Sequence, residues 1–432
     1  MIAKTLTKLV HSAFFKSILL LTSGSVVSQF IVLLGLPIIA RIYSPDDFGL
    51  FAIFSATSGV LLTVSSLRFE ISIPLARTWR NAKQIFSISV GINVMLALAS
   101  LGFVGFFSSQ LASWFGEKEL AQVLWLLPIV LISGGIFKAL NYLALWESAF
   151  RHISISKVLQ GIALVLSQIV LGFLGAGALG LAIGLILGQV VGTFWLIRNK
   201  EFVKGFCDAS KSYARTLSLV KKNKSYAQFD TPASLIGSLS HHFPNIIFAA
   251  LFSPASAGVY YIVERMYAVP SGVLGRSIGQ VIHANIRIDL ESGQLQHRLL
   301  LVLGGLMSVT VIPVWLLYFY AEPIFKLLLG ESWHDAGEVA TWLVFSVAVQ
   351  FVYSALSMVL VATGGHLKNI LIHTFLFLFK LAGILVGYTA GSFILAVQCL
   401  VFAQVAGYGI ALIVLTLHTK RVTENASFKL NY

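Results

Sequence analysis

Four cations stand inside long apolar stretches of this chain: Lys138, Arg265, Arg276 and Lys380. A charge near the centre of a bilayer costs at least about 2.5–3.5 kcal/mol, so such side chains are expected to face a cavity or a partner and not lipid. Lys380 falls deepest in its stretch. Arg265 and Arg276 are eleven residues apart, about three helical turns, and share one helix face with Pro270 between them. Lys138 has Asn141 close by on the same side. Glu264 is the one clear carboxylate expected at membrane depth. It cannot pair directly with Arg265, because neighbouring helical residues diverge by about 100°. Glu70 and Glu147 are expected at cytoplasmic span ends. A net cationic interior suits an anionic ligand such as a phosphate, whose oxygens accept charge-assisted hydrogen bonds from guanidinium and ammonium groups. Structural alternatives stay open: Lys138 and Arg276 can snorkel to the cytoplasmic interface, and another helix can neutralise Arg265. His241, His242 and His373 suit packing or hydrogen bonding better than a proton relay.

The elements that must position these groups are membrane helices. Of 432 residues, 57% are apolar and 11% charged, against about a quarter charged in soluble domains. Mean hydropathy is +0.87. These values exclude a disordered chain, a soluble enzyme and a water-borne nucleic-acid-binding domain, despite a net charge of +13. Spanning the hydrocarbon takes roughly 20 residues, and twelve such spans are expected at 18–40, 48–67, 85–107, 122–145, 159–176, 178–198, 231–252, 258–283, 298–320, 338–361, 369–389 and 393–417. Upstream, Ile2, Leu6, Leu9 and Ala13 recur at the spacing of an interfacial helix, and the first span reads as uncleaved. With the N-terminus inside, 23 of the 30 lysines and arginines fall in cytoplasmic segments and 3 (Arg41, Lys118, Lys326) outside. That bias predicts cytoplasmic N- and C-termini. Cys207 and Cys399 are placed too differently to form a disulfide.

An internal repeat divides the chain. Ser44-Pro45 through Gly49 and Ser253-Pro254 through Gly258 both read S-P-x-x-x-G, and Phe115-Gly116-Glu117 is echoed by Leu329-Gly330-Glu331. The expected fold is therefore an all-α polytopic membrane protein with about twelve transmembrane helices, arranged as two pseudo-symmetric six-helix lobes around a central cavity. The lobes are assigned to 1–198 and 231–417, with a basic cytoplasmic linker at 199–230 and a cytoplasmic tail at 418–432. Gly180, Gly184, Gly188 and Gly192 place a glycine at every fourth position of span six, a surface for close packing or for sliding. Nucleotide-binding loops, zincin motifs, metal-ligand clusters and paired acids in a catalytic context are not found, so no catalytic residue, metal or cofactor is expected.

The stretch Arg41-Ile42-Tyr43-Ser44-Pro45-Asp46-Asp47-Phe48-Gly49, followed by Ser66-Leu67-Arg68-Phe69-Glu70, resembles the N-terminal signature of the polysaccharide-biosynthesis (O-antigen type) flippases. These belong to the multidrug/oligosaccharidyl-lipid/polysaccharide exporter superfamily. Ile71-Ser72-Ile73 departs slightly from the usual Ala-Ile. The glycine run at 177–192 also looks like that family's fifth-to-sixth hairpin. The resemblance implies a bacterial inner-membrane flippase, not an enzyme. It would carry an undecaprenyl-diphosphate-linked oligosaccharide repeat unit to the periplasmic leaflet by alternating access, for O-antigen (lipopolysaccharide), capsule or exopolysaccharide. Membrane lipids, and the polymerase and chain-length regulator of the same pathway, would be its partners, with no nucleic acid. Arg41 and Arg68 match the signature. They join Lys138, Arg265, Arg276 and Lys380 as candidate substrate-binding residues, with Glu264 as the candidate ion-coupling acid. The alternatives are a cation-coupled drug or metabolite exporter of the same fold, a membrane glycosyltransferase or polymerase, and a scaffold of a glycan-assembly complex.

Overall fold

The computed structural model describes residues 13–198 and 213–430; the side chains of 13–22, 213–215 and 425–430, of several residues within 276–291 (Arg276 among them), and of 361 and 366 lie outside the description. The expected interfacial helix before Ala13, Cys207 and most of the basic linker likewise lie outside the described residues. Each apolar stretch is a helix, and no strand occurs among the described residues. The chain forms two compact units, Met1–Ser238 and Leu239–Tyr432.

In the first unit, α1 (Ala13–Ile42) and α2 (Pro45–Val64) lead into a 3₁₀ segment, Phe69–Leu75. Then come α3 (Trp79–Phe115), α4 (Lys118–Leu124) continuing into α5 (Leu127–Trp146), α6 (Phe150–Phe173), α7 (Gly177–Ile197) and α8 (Tyr213–Lys222). A π-helical turn, Tyr226–Asp230, runs into α9 (Thr231–Leu251). The first residues of α9 belong to this unit. The described part of the expected linker is not bare chain: Leu219 of α8 is buried in the same apolar cluster as Ala82, Ile85 and Phe86 of α3. The Gln84 amide also donates to the Thr216 hydroxyl at 2.5 Å. In the second unit, the rest of α9 is followed by α10 (Pro254–Glu291), α11 (Leu295–Leu329), α12 (His334–Ala362), α13 (His366–Thr389) and α14 (Phe393–Leu430).

The repeat is a repeat of helix punctuation. Ser44 and Ser253 are the N-caps of α2 and α10, and each hydroxyl accepts the backbone N–H three residues on, at 3.1 Å. Pro45 and Pro254 follow at the first helical position, where a missing N–H costs nothing. Gly116 (φ 72°) ends α3 and Gly330 (φ 98°) ends α11, a backbone region where a Cβ is strained. Gly175 and Gly391 (φ 71° and 73°) turn α6 into α7 and α13 into α14.

Among the described residues, ten helices are long and apolar enough to cross a membrane. The other two expected spans, α9 and α10, are long enough at 21 and 38 residues. Their hydropathy is reduced by the polar groups they carry, His241, His242 and Asn245 on one and Glu264 and Arg265 on the other. Several helices overrun their expected bounds: α3 has 37 residues, more than a bilayer core requires. The outer surfaces are apolar, as lipid demands; α11 exposes Val309, Ile312, Trp315 and Phe319. The glycine face of α7 packs on α6. A Cβ at Gly188 would stand 2.9 Å from the Gln160 carbonyl, and one at Gly192 2.7 Å from the Phe137 ring of α5.

Candidate functional site

The first signature segment builds a helix junction. Asp47 and Ser44 cap each other: the Asp47 carboxylate accepts from the Ser44 N–H (2.9 Å) and hydroxyl (2.8 Å), while the Ser44 hydroxyl accepts the Asp47 N–H. The Tyr43 hydroxyl donates to the Gln168 carbonyl on α6 at 2.7 Å, and Phe48 is buried. Arg41 is exposed in the last turn of α1. It precedes α2 and Arg68 follows it, so twenty helical residues separate the two signature arginines.

The second signature segment builds a charge cluster. After α2 the backbone is left-handed at two successive residues, Leu67 (φ 47°) and Arg68 (φ 62°). This conformation is costly for residues with a Cβ and persists only where surroundings over-determine it. The turn sends Glu70 into the bundle, where its side chain has no exposure and its Oε1 lies 2.6 Å from the Lys138 Nζ of α5. The Ser66 hydroxyl donates to the other Glu70 oxygen. The Lys138 ammonium also donates to the Leu62 carbonyl at 3.1 Å. The Arg68 Nε donates to Asp230 Oδ2 at 2.8 Å, with both side chains reached by water (23% and 43% exposed). Asn141 is turned to its own helix, donating to the Phe137 carbonyl.

The second unit brings Glu264, Arg265 and Lys380 together. Lys380 on α13 is 6% exposed. Its ammonium reaches the Ser240 carbonyl of α9 at 3.4 Å and lies 5.7 Å from the Tyr408 ring centroid. Glu264 on α10 accepts from the Asn245 amide at 3.3 Å and lies 4.0 Å from His241 Nδ1. His241 and His242 have ring centroids 4.8 Å apart. Lys380 and Glu264 are within electrostatic reach of each other, but among the described residues neither Lys380 nor Arg265 has a carboxylate oxygen at ion-pair distance. The Arg265 Nη1 donates to the Tyr261 hydroxyl one turn away at 3.1 Å. His373 stands near Tyr353 on the same side of the bundle, 6.4 Å between centroids. Arg276 lies on α10, and its side chain is outside the described residues.

The six candidate cations thus fall into different electrostatic settings. Lys138 and Arg68 are held by Glu70 and Asp230, whereas Lys380 and Arg265 keep donors to spare, since an ammonium carries three N–H groups and a guanidinium five. Glu70, expected at a cytoplasmic span end, is wholly enclosed by protein, because the left-handed turn folds it back into the bundle. Asp230 was missed as well. The signal that could have pointed to Glu70 is its spacing two residues beyond Arg68, a pair no straight helix would place on one face. Among the described residues no three His, Cys, Asp or Glu side chains converge as a metal site.

Comparison with solved structures gives the class first. An inward-facing multidrug resistance transporter of the MATE family, in the MOP superfamily, superposes with a TM-score of 0.72 at 13% identity, covering 92% of this chain and 96% of that one. The lipid II flippase MurJ, in an inward closed conformation, gives 0.71 at 14% identity, covering 94% and 90%. This chain therefore has the two-lobe fold of MOP-superfamily transporters and is a multi-pass membrane protein. The model of the family described as "Polysaccharide biosynthesis protein" matches residues 38–338, well over half the chain, and the chain belongs to that family. The succinoglycan biosynthesis transport protein ExoT of Rhizobium meliloti (strain 1021) is 23% identical over 321 residues, which cover 72% of this chain. The match spans 62% of ExoT's own length.

Proposed function

We propose that this chain is an inner-membrane flippase. It carries an undecaprenyl-diphosphate-linked oligosaccharide repeat unit from the cytoplasmic to the periplasmic leaflet, by alternating access, for O-antigen, capsule or exopolysaccharide assembly. The family and the names of two similar proteins, a succinoglycan transport protein and a lipid II flippase, support the reading. One observation carries it: Lys380 and Arg265 stand in a bundle of long, largely apolar helices with hydrogen-bond donors that, among the described residues, no acid takes up. A diphosphate is too polar to cross hydrocarbon alone. Guanidinium and ammonium donors replace its lost water, and Arg276, on the same helix as Arg265, extends the set. Outward movement of negative charge is favoured by about 2.3 kcal/mol per charge per 100 mV. Glu264 is the coupling acid. The cytoplasmic polymerisation substrate is thereby delivered to the periplasmic polymerase and chain-length regulator.

The test is translocation of a fluorescent undecaprenyl-diphosphate oligosaccharide in proteoliposomes. Wild type should move it to the far leaflet, and Lys380→Gln and Arg265→Gln should each slow transfer at least about tenfold, one lost charge-assisted hydrogen bond being worth about 1.5–3 kcal/mol. Equal rates for all three would sink the reading. A second reading, an ion-coupled small-molecule exporter, draws on the Glu264–His241–Asn245 cluster. It is favoured if cells lacking the chain keep their surface glycan and lose efflux of a small molecule.

A further inference from the structure

The Arg68–Asp230 pair differs from every other charged contact near it. Glu70 is enclosed: its carboxylate lies 2.6 Å from the Lys138 ammonium and accepts from the Ser66 hydroxyl. Arg68, by contrast, uses only its Nε, at 2.8 Å, and among the described residues nothing holds its two Nη groups. Water reaches both Arg68 and Asp230. The acid is also placed where its release would matter. Asp230 closes the π-helical turn Tyr226–Asp230. The next residue, Thr231, donates its hydroxyl back to the Tyr226 carbonyl at 3.1 Å and begins α9. About two turns further on, the Thr63 and Ser238 hydroxyls are hydrogen-bonded at 3.1 Å. Within the first unit, the start of α9 is therefore tied to the end of α2 at two points, one ionic and one neutral.

We propose that Arg68 is an anion receptor whose resting occupant is the Asp230 carboxylate. Phosphate oxygens of an incoming ligand displace that carboxylate and so unfasten the π-turn at the head of α9. The proposal rests on the diphosphate reading above. The chemistry is an exchange of one oxyanion for another on the same guanidinium, which accepts carboxylate and phosphate in the same forked geometry. The spare Nη donors give a phosphate a second bond that the resting Nε contact leaves unused. A π-turn holds one residue more than an α-turn and recurs where a helix must re-register. Once Asp230 is free, 226–231 can rewind. Lys138 cannot play this part, because exchanging its partner would strand an enclosed carboxylate. The two consecutive left-handed residues before Phe69 fit the same assignment: at that turn Arg68 meets Asp230 while Glu70 meets Lys138.

The test uses the purified full-length protein in nanodiscs with inorganic pyrophosphate as the probe. Asp230→Asn removes the resident competitor and should bind pyrophosphate about tenfold more tightly than wild type; Asp230→Ala serves the same purpose if the amide variant is unstable. Adding Arg68→Gln should bring affinity below wild type. Hydrogen exchange at 226–233 should quicken in Asp230→Asn and, for wild type, on adding pyrophosphate. Thr63→Val cuts the neutral tie alone, so it should quicken exchange around Ser238 and leave pyrophosphate affinity unchanged. Replacing phosphatidylcholine by phosphatidylglycerol in the disc separates two sources of phosphate. A tenfold gain that disappears assigns the receptor to bulk lipid headgroups, and one that persists assigns it to a diphosphate. Unchanged affinity in Asp230→Asn, or affinity indifferent to Arg68→Gln, overturns the proposal. Pyrophosphate binding does not depend on a glycan being transported, so a failed flipping assay with an intact exchange result would refute the flippase reading alone.

Discussion

Glu70 is the side chain on which the first unit has most at stake. A carboxylate with no exposure paired to an ammonium at 2.6 Å is no measure of net stabilisation. Losing one partner is another matter, since an uncompensated enclosed charge costs about 3–5 kcal/mol. Glu70→Gln or Lys138→Met should each lower the thermal midpoint in detergent by many degrees, and the double variant should recover most of the loss. Arg68→Gln, at a water-washed pair, should cost about 0–1 kcal/mol. Equal losses for Glu70→Gln and Arg68→Gln would show that the burial contrast is wrong. The cations of these pairs were legible in the sequence, because a lysine in an apolar run stands out against its neighbours. Their acids were not. Glu70 was expected at a cytoplasmic span end, and only the reversal of the backbone at Leu67 and Arg68 folds it inward; no periodicity encodes that reversal. Asp230 is 162 residues from its partner, and a half-exposed acid on a basic linker leaves no mark in composition.

At the scale of elements, the helices were legible because lipid imposes a length on every apolar run. Their ends were less so. Hydropathy reports where hydrocarbon stops, whereas the backbone stops where a cap or a glycine says so: α3 runs on to Phe115 and ends at Gly116. Close packing along glycine faces gives a sharper test than any boundary. A Cβ at Gly188 would meet the Gln160 backbone carbonyl at 2.9 Å, whereas one at Gly91 meets nothing within 4 Å. Backbone yields less readily than a side chain, so Gly188→Ala should destabilise by about 1–3 kcal/mol. Gly91→Ala, in the middle of α3, should be neutral or stabilising by up to about 1 kcal/mol from helix propensity alone. Thermal unfolding of the two variants decides the matter, and equal midpoints would mean that α6 and α7 have room to slide. The Ser-Pro junctions behave the same way in both units: Ser44→Ala and Ser253→Ala should each lose about 1 kcal/mol of capping.

For the whole molecule, the crossing of the bilayer by α9 and α10 sets the side on which every later segment lies. They are the two long helices whose polar load takes them out of the apolar class. Positive charge supplies an answer independent of hydropathy. If both cross, the segments before α3 and after α7 lie on the cytoplasmic side, and the tips near Lys118 and Lys326 on the other, in line with the distribution of lysine and arginine. If only one crosses, everything after it inverts and Lys326 joins the cytoplasmic set. Lys326, in the last turn of α11, is 62% exposed and among the described residues pairs with exposed Glu331 alone, at 3.2 Å, so replacing it should not disturb the fold. In a chain with Cys207 and Cys399 changed to serine, Lys118→Cys and Lys326→Cys should react with an impermeant maleimide added outside spheroplasts. Lys222→Cys, on α8, should react only once the membrane is opened. Labelling of Lys118→Cys but not Lys326→Cys from outside would mean that α9 or α10 does not span. Lys380 and Arg265 would then belong to a bundle with five crossings, and the intramembrane setting on which their headgroup role depends would have to be given up.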